Sequence, residues 1–571
     1  MGGSGVVSVG GRYARAVSLE GALGLAPVLV VGLLGGLVAG CSDSPGVGCA
    51  TGVVETTSGA VCGTVEEVID LGGEPVDAFR GIPFAETTAG DNRWRPPVPK
   101  ARMAGVFDAT ESSLACPQKI DPPFGPTNGT SEDCLTVNVW RPLGARAGEP
   151  LPVLVWIYGG SFTNGGTSVR TYDGGYIAAQ QDVVVVTLNY RLGALGFLSG
   201  ISGLTGNYGL QDQQLAFHWV RDNVAAFGGN PDEVTIFGES AGAMSVGLHA
   251  LSVPSSDGLF RGALMESNPL GIPYKTIAQA APTAAAFAAD LGCAGGDLDC
   301  LRAVPADQIV TAQANAELQF QSLVGGKLAG FLVFAPVIDG GFLDTDPTIA
   351  AQQGKLTLPT LLGTNHDEGT IFVAEIAQLV GGTVTEKAYE TVLTLLFGAA
   401  NVPQIIALYG INPTDNFDNL SRVTNDYLFG CPNRFVARQA RSGIYVYEFD
   451  ETSLNVWQGV VPQCDNEACH GDEVPFVFHA DRQIGIEFTA EQAQLSDEIV
   501  GYWGTFAHRL DPNATGFFPW PGFTPNGLEY LILNTPALST AVNPIANCDF
   551  WDQIGYNLGA PVAALNAMAG R

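Results

Sequence analysis

The stretch VTIFGESAGAMSV, residues 234–246, decides the fold. A β-branched apolar run stops at Gly238, Ser240 follows two residues later, and small residues then open a helical pattern. Strand, tight turn and helix in that order hold a serine hydroxyl exposed above a sheet. Gly238 and Gly242 leave room for the turn and for neighbouring backbone to come close. The chemistry implied is that of a serine hydrolase. Gly-x-Ser-x-Gly alone carries little weight in a chain with 73 glycines. Its weight comes from the strand before it, the helix after it and the partners further along.

Composition narrows the class. With 46% hydrophobic residues over 571 positions, and strand patterns alternating with helical ones, a large α/β core is affordable. The 57 acidic residues outnumber the 26 basic ones, for a formal net charge of −31. Such a surface repels polyanions, which argues against nucleic acid as a partner. Attraction of cationic substrates is compatible with it; a soluble acidic surface is the blander reading. No internal repeat or low-complexity tract interrupts the chain.

The N-terminus reads as an address. Arg12 and Arg15 precede an uncharged run from Gly21 to Gly40 that ends LVAGC. The run resembles a secretory signal, and V-A-G-C resembles a bacterial lipobox, in which cleavage leaves the cysteine as a lipidated first residue. On that reading residues 1–40 are the signal, Cys41 is lipidated, 41–48 form a short tether, and the protein is held at a membrane of the cell envelope by more than one acyl chain. An uncleaved signal anchor is the competing reading, since twenty apolar residues can span a bilayer. Of the eleven cysteines, the ten beyond Cys41 are an even number, as expected for disulfides in an oxidising compartment. Short loops make Cys293 with Cys300, and Cys464 with Cys469, plausible pairs.

A serine nucleophile needs a base, and the base needs a third group to orient it. The chain has six histidines, and in α/β-hydrolases the order along the chain is serine, acid, histidine. His218 precedes the serine, inside the amphipathic segment YGLQDQQLAFHWVRDNV. His249 lies along the nucleophile helix, roughly 13 Å from Ser240 by helical rise. His508 falls near the end of the helical stretch LSDEIVGYWGTFAHRL (495–510), where the helix dipole suits it. His366 stands two residues before a better acid candidate. His470 and His479 remain, after the strand GIYVYEFD (443–450). His470, in the loop ending ACHGDEVPF, is the choice, because catalytic groups stand on loops beyond strand ends.

The acid comes from LPTLLGTNHDEGT (358–370). An apolar strand ends at Gly363, and Asp367 and Glu368 lie in the turn that follows. Either carboxylate can buttress an imidazole, and an ordinary acidic turn looks the same. An oxyanion hole is also needed, with backbone N–H groups worth about 3 kcal/mol each. LPVLVWIYGGSF (151–162) is a buried-looking strand running into Gly159 and Gly160, whose loop can turn its amides towards the site, with the Ala241 N–H adding another.

At this point the motifs resemble a family. FRGIPFAE with RWRPP (79–97), SEDCLTVNVW (131–140), NYRLGALGFL (189–198) and the block from Gly206 to Ala243 are similar to those of type-B carboxylesterases and lipases, the cholinesterase-like branch of the α/β-hydrolases. FAPVIDGGFL (334–343), DEGT (367–370) and HGDE (470–473) complete the series. The likeness covers about residues 50 to 553 and implies a large, mostly parallel central sheet flanked by helices, with residues 49–571 as one catalytic domain. It implies a triad of Ser240, Glu368 and His470, and oxyanion donors at the N–H groups of Gly160, Ser161 and Ala241. It also implies disulfides Cys116–Cys134, Cys293–Cys300 and Cys431–Cys548, leaving Cys49, Cys62, Cys464 and Cys469 for two more. A 464–469 bridge would stiffen the loop before His470; reading C-x4-C-H as a metal site instead would consume the base.

Two departures stand out: Tyr-Gly-Gly-Ser where the family has His-Gly-Gly-Gly, and ESNP (266–269) where it more often has Gln-Ser-Gly. Serine can replace the third glycine if its φ/ψ is tolerated, because the donor is a backbone N–H. The loop between Cys116 and Cys134, PQKIDPPFGPTNGTSED, occupies the family's lid position. Ile120 and Phe124 are its only large hydrophobes, so small soluble esters fit better than emulsified fat. It lacks the tryptophan that holds a quaternary ammonium by cation–π contact in cholinesterases. The expected activity is ester hydrolysis through an acyl-enzyme, without metal or organic cofactor. The alternatives are a lipase for longer chains and a non-catalytic adhesion module of the same fold. Nothing in the pattern sets an oligomeric state.

Overall fold

Runs rich in valine, isoleucine and leucine pair into one sheet of eleven strands. In the computed structural model these are β1 (Thr64–Val68), β2 (Glu74–Pro83), β3 (Thr136–Pro142), β4 (Leu151–Ile157), β5 (Val184–Leu188) and β6 (Gly229–Glu239), followed by β7 (Gly262–Glu266), β8 (Thr360–Asn365), β9 (Ile444–Phe449), β10 (Glu529–Leu533) and β11 (Ser539–Val542). The structure describes residues 49–120, 125–145, 150–323, 332–379, 381–454, 456–457, 459–542 and 547–556. The signal segment, Cys41, the tether and Phe124 lie outside them.

Across the sheet the order is β11-β10-β9-β8-β7-β6-β4-β5-β3-β2-β1. From β10 to β5 all neighbours are parallel, and both margins are antiparallel. The sequence shows why. Parallel strands are covered on both faces, so they read as continuous apolar runs, and β5 (VVVTL) is buried at every position. At the margin, β1 alternates between half-buried and exposed. The architecture is the α/β-hydrolase sheet that the sequence implies.

The helices used below are α1 (Tyr208–Asn223), α2 (Ala241–Leu251), α3 (Gly369–Leu379), α4 (Phe417–Asn425), α5 (Val474–Phe478) and α6 (Ala490–Arg509). Two boundaries differ from the sequence reading. The strand expected to end at Gly363 continues to Asn365, because Thr364 and Asn365 still pair with Glu448 and Phe449 of β9. Their polarity marks hydrogen bonds in the interior, not the end of the strand. Helix α6 begins five residues before Leu495, at a capping box in which Thr489 and Gln492 satisfy each other's backbone N–H groups.

Motifs far apart in sequence are pinned together. Arg93 of RWRPP meets Glu132 of SEDCL with Nε–Oε1 at 2.5 Å. Arg191 of NYRLG pairs with Asp212 of α1, fully buried, at 2.7 Å. Such buried pairs fix relative position, and breaking one leaves an uncompensated charge. Five disulfides join Cys49–Cys62, Cys116–Cys134, Cys293–Cys300, Cys431–Cys548 and Cys464–Cys469. Disulfides of this density belong to an oxidising compartment. No helix among the described residues is long and apolar enough to cross a membrane.

Candidate active site

The site is built on the step from β6 to α2. Residues 234–239 are buried, Ser240 is partly exposed, and the helix after it is buried again, so the serine is the point where the interior opens. Ser240 has φ 54° and ψ −121°, a sparsely populated conformation that costs of the order of 1–3 kcal/mol and is held by its surroundings. Its N–H donates to the Glu266 carbonyl of β7 at 3.0 Å. The flanking glycines are required by space. A Cβ at Gly238 would come within 2.5 Å of the Ile157 carbonyl oxygen, and one at Gly242 within 1.9 Å. The turn is pressed onto the end of β4.

His470 is buried, and its Nδ1 lies 2.5 Å from Oε2 of the fully buried Glu368. Oε1 of Glu368 accepts the Asn365 N–H at 2.8 Å, while Asn425 of α4 accepts the Glu368 N–H at 3.1 Å. Asp367, the neighbouring candidate, faces elsewhere. Its Oδ2 accepts the Ala468 N–H, and its own N–H donates to the Ala468 carbonyl. Asp367 therefore stitches the histidine loop to the end of β8, and Glu368 faces the imidazole. Cys464–Cys469 closes that loop one residue before His470. Phe372 and Phe429 flank the ring with centroids at 5.3 and 5.2 Å.

The remaining histidines stand apart. His249 is buried between Ser256 and Gln213, His366 bonds to Asp367 on the surface, and His218 is exposed on α1. His508, in the last turn of α6, bonds to the Gln181 carbonyl, and His479 bonds to Ser496.

The loop after β4 supplies backbone donors. Gly160, Ser161 and Phe162 all have positive φ, at 96°, 56° and 61°. Ser161 thus adopts the left-handed geometry that the family's glycine takes freely, at a cost of roughly 1–2 kcal/mol. The N–H groups of Gly160, Ser161 and Ala241 have no acceptor among the described residues. Gln118 clamps the loop from outside, donating to the Gly165 carbonyl at 2.7 Å and accepting the Gly165 N–H at 2.8 Å.

Carboxylates crowd around His470. Its Nε2 lies 3.1 Å from Oε1 of Glu239, and among the described residues no hydrogen bond joins it to Ser240 Oγ. Catalytic hydrogen bonds are commonly long without substrate and tighten when it binds. Glu473 accepts from Asn365 Nδ2 at 2.6 Å and from Ser267 Oγ at 3.2 Å. Burial opposes the imidazolium, but Glu239, Glu368 and Glu473 outweigh it and push the His470 pKa up to about 9. Burial and the neighbouring carboxylates raise Glu239 and Glu473 in turn, while His470 pulls both back. Glu266, the acid in ESNP, accepts the Trp503 indole N–H at 2.7 Å. Burial, with Glu473 and Glu239 close by, holds it well above the ordinary carboxyl range.

His470 thus stands between Glu368 on one side and Glu239, the residue before Ser240, on the other. Over residues 50–551 the chain matches the model of the carboxylesterase family. The chain belongs to the carboxylesterase family. The esterase is 33% identical to "Crystal protein" of Dictyostelium discoideum, over 88% of this chain and 90% of that one. It is 34% identical to an acetylcholinesterase of Bungarus fasciatus, over 87% and 86%. A solved thermophilic PNB esterase superposes with a TM-score of 0.76 at 32% identity, covering 88% of this chain and all of that one. The chain is a carboxylic ester hydrolase.

Sequence reading passed over Glu239, Glu473 and Asn365. Each stands inside a stretch already quoted: the serine turn, HGDE, and the end of β8. Their signal was chemical, since acidic or amide side chains in apolar surroundings must find partners. Asn365 Nδ2 donates at 2.6 Å both to the Cys469 carbonyl and to Glu473, joining the acid turn to the histidine loop.

Proposed function

We propose that this esterase hydrolyses soluble carboxylic esters by two-step acyl transfer through Ser240, His470 and Glu368. The observation that carries the reading is the buried 2.5 Å contact between Glu368 and His470, whose other nitrogen lies 3.1 Å from Glu239, the residue before a serine on a strained, partly exposed turn. Glu368 orients the imidazole, and Nε2 takes the Ser240 proton as Oγ attacks the ester carbonyl. The developing oxyanion is received by the N–H groups of Gly160, Ser161 and Ala241. His470 returns the proton to the leaving alcohol, and water then deacylates the enzyme by the same route. No step uses a cofactor. Residues 49–571 act as one catalytic unit.

The short, largely polar Cys116–Cys134 loop supports small soluble esters over emulsified lipid. The experiment is turnover of p-nitrophenyl esters from acetate to palmitate, beside Ser240→Ala. Serine-dependent turnover that peaks at short chains is expected; a palmitate maximum would make the protein a lipase, and no serine-dependent turnover by folded protein would sink the reading. We also propose that residues 1–40 are an export signal and that Cys41 carries the lipid tether. The mass of the mature N-terminal peptide tests this, and an unmodified peptide that starts elsewhere than Cys41 would reject it.

A further inference from the structure

Asp70, His479 and Asp481 come from two distant parts of the chain. Asp70 belongs to the single 3-10 turn Ile69–Leu71 between β1 and β2, and the other two follow α5. Donor atoms of the three side chains lie within 4.8 Å of one another. His479 and Asp481 are buried, at 6% and 4% exposure.

The hydrogen bonds around His479 fix which nitrogen is free. Ser496 Oγ, on α6, donates its proton to the Phe476 carbonyl at 2.7 Å. Towards His479 Nδ1, 2.9 Å away, the same oxygen must therefore accept. Asp497 Oδ1, 3.6 Å from that nitrogen, favours a proton there as well. Nδ1 carries the hydrogen, and Nε2 presents a lone pair. The ring is held flat against Tyr176, with centroids 3.9 Å apart and planes within 7°. His479 itself has φ 49°, a left-handed residue that ends α5. An imidazole oriented through Nδ1–H with Nε2 open is the arrangement of a metal-binding histidine and its outer partner.

The acids are similarly half-used. Asp481 Oδ2 accepts the Phe488 N–H at 2.9 Å, whereas its buried Oδ1 has no hydrogen-bond partner. A buried carboxylate oxygen without a donor is unfavourable, and a cation would satisfy it. Asp70 Oδ1 meets Arg482 Nε at 2.8 Å, and Arg482 is half exposed. That contact uses one oxygen of Asp70 and leaves the other. Arg482 can remain as an outer partner or turn into solvent.

We propose that Asp70, His479 and Asp481 bind one divalent transition ion, through His479 Nε2 and one oxygen from each carboxylate. One imidazole with two carboxylates suits Zn2+ or Mn2+; Ca2+ prefers oxygen alone. The ion would tie the turn between β1 and β2 to the segment that runs on from His470, away from the hydrolytic chemistry.

The test strips the purified protein with a chelator and titrates it with ZnCl2, following heat of binding and thermal unfolding, with CaCl2 alongside. One equivalent of zinc and a raised Tm are expected. Asp481→Asn keeps the side chain's shape and its acceptor for Phe488, and it should weaken zinc binding at least tenfold, as should His479→Gln. Ser496→Ala, which removes the partner of Nδ1–H together with the bond to the Phe476 carbonyl, should weaken it by about 10- to 100-fold. An absent Tm response at millimolar zinc, zinc affinity unchanged in all three variants, or an equal response to calcium overturns the proposal.

Discussion

Two buried histidines in this molecule are pushed in opposite directions. His249 is held by a serine hydroxyl and a glutamine carbonyl, and burial drives its pKa down to about 3. Burial acts on His470 in the same sense, yet three carboxylates reverse it and raise the pKa to about 9. Depth is common to both sites; the charge of the neighbours differs. A buried imidazole among neutral groups is a structural strut, and one among carboxylates can take up a proton during a reaction.

The sharpest way to break this contrast is to replace each histidine. His470→Gln, like Ser240→Ala, should lower kcat by about 10^4- to 10^6-fold in steady-state assays. His249→Gln should leave kcat within about twofold and lower Tm instead. Comparable losses from the two histidine variants would remove the distinction. The acid turn gives the next largest effect. Glu368→Gln should cost about 10^2- to 10^4-fold in kcat, by analogy with removing the orienting charge of a triad. Asp367→Asn, next door, should cost far less, because Asp367 holds backbone and not the imidazole. The reverse ranking would reassign the acid.

The pH profile sharpens the electrostatic half of the comparison. With His470 as the proposed base, activity requires its neutral form, so a raised pKa places the acid limb of kcat/KM above the ordinary histidine value, with activity climbing towards pH 9. Glu239→Gln removes a carboxylate that raises this pKa, so the limb should move to lower pH; a limb that stays put would show that Glu239 does not set it.

His249 makes the opposite statement about stability. Its folded pKa lies below the unfolded value of about 6.5, so the unfolded chain takes up more protons between those two values. Stability is then lost as pH falls below about 6.5, by about 1 kcal/mol per unit from this group alone, and His249→Gln should flatten that slope in denaturant titrations. The smallest effect concerns Ser161. Ser161→Gly relieves a left-handed serine, so it should raise stability by up to about 1 kcal/mol and leave kcat nearly unchanged. A large loss of activity would mean that the hydroxyl, and not only the N–H, contributes.

Much of this was legible in the chain. The strand-serine-helix pattern needs Gly238 and Gly242 where Ile157 leaves no room, and that need is written in the residue types. The choice between Asp367 and Glu368 was not legible from physics alone. Adjacent residues in a turn point in different directions, and only the path of the histidine loop decides which faces the ring. The second contact of His470, with Glu239, was hidden for a similar reason. Glu239 was visible beside the serine, but which way its side chain turned was not. Helix α6 carried its own start signal in Thr489 and Gln492, and the apolar pattern from Leu495 obscured it.

Gln118 uses both halves of its amide on Gly165, and that choice reaches beyond the loop it closes. A lid that senses an oil surface must lift free of the floor beneath it. Here Gln118, two residues past Cys116, is tied by both amide groups to Gly165 beyond the Gly160 turn, so neither can be displaced without breaking these bonds. Substrates should therefore be sorted on arrival by fit to a frame already set, giving simple saturation curves with no lag and no jump in rate where an ester passes its solubility limit.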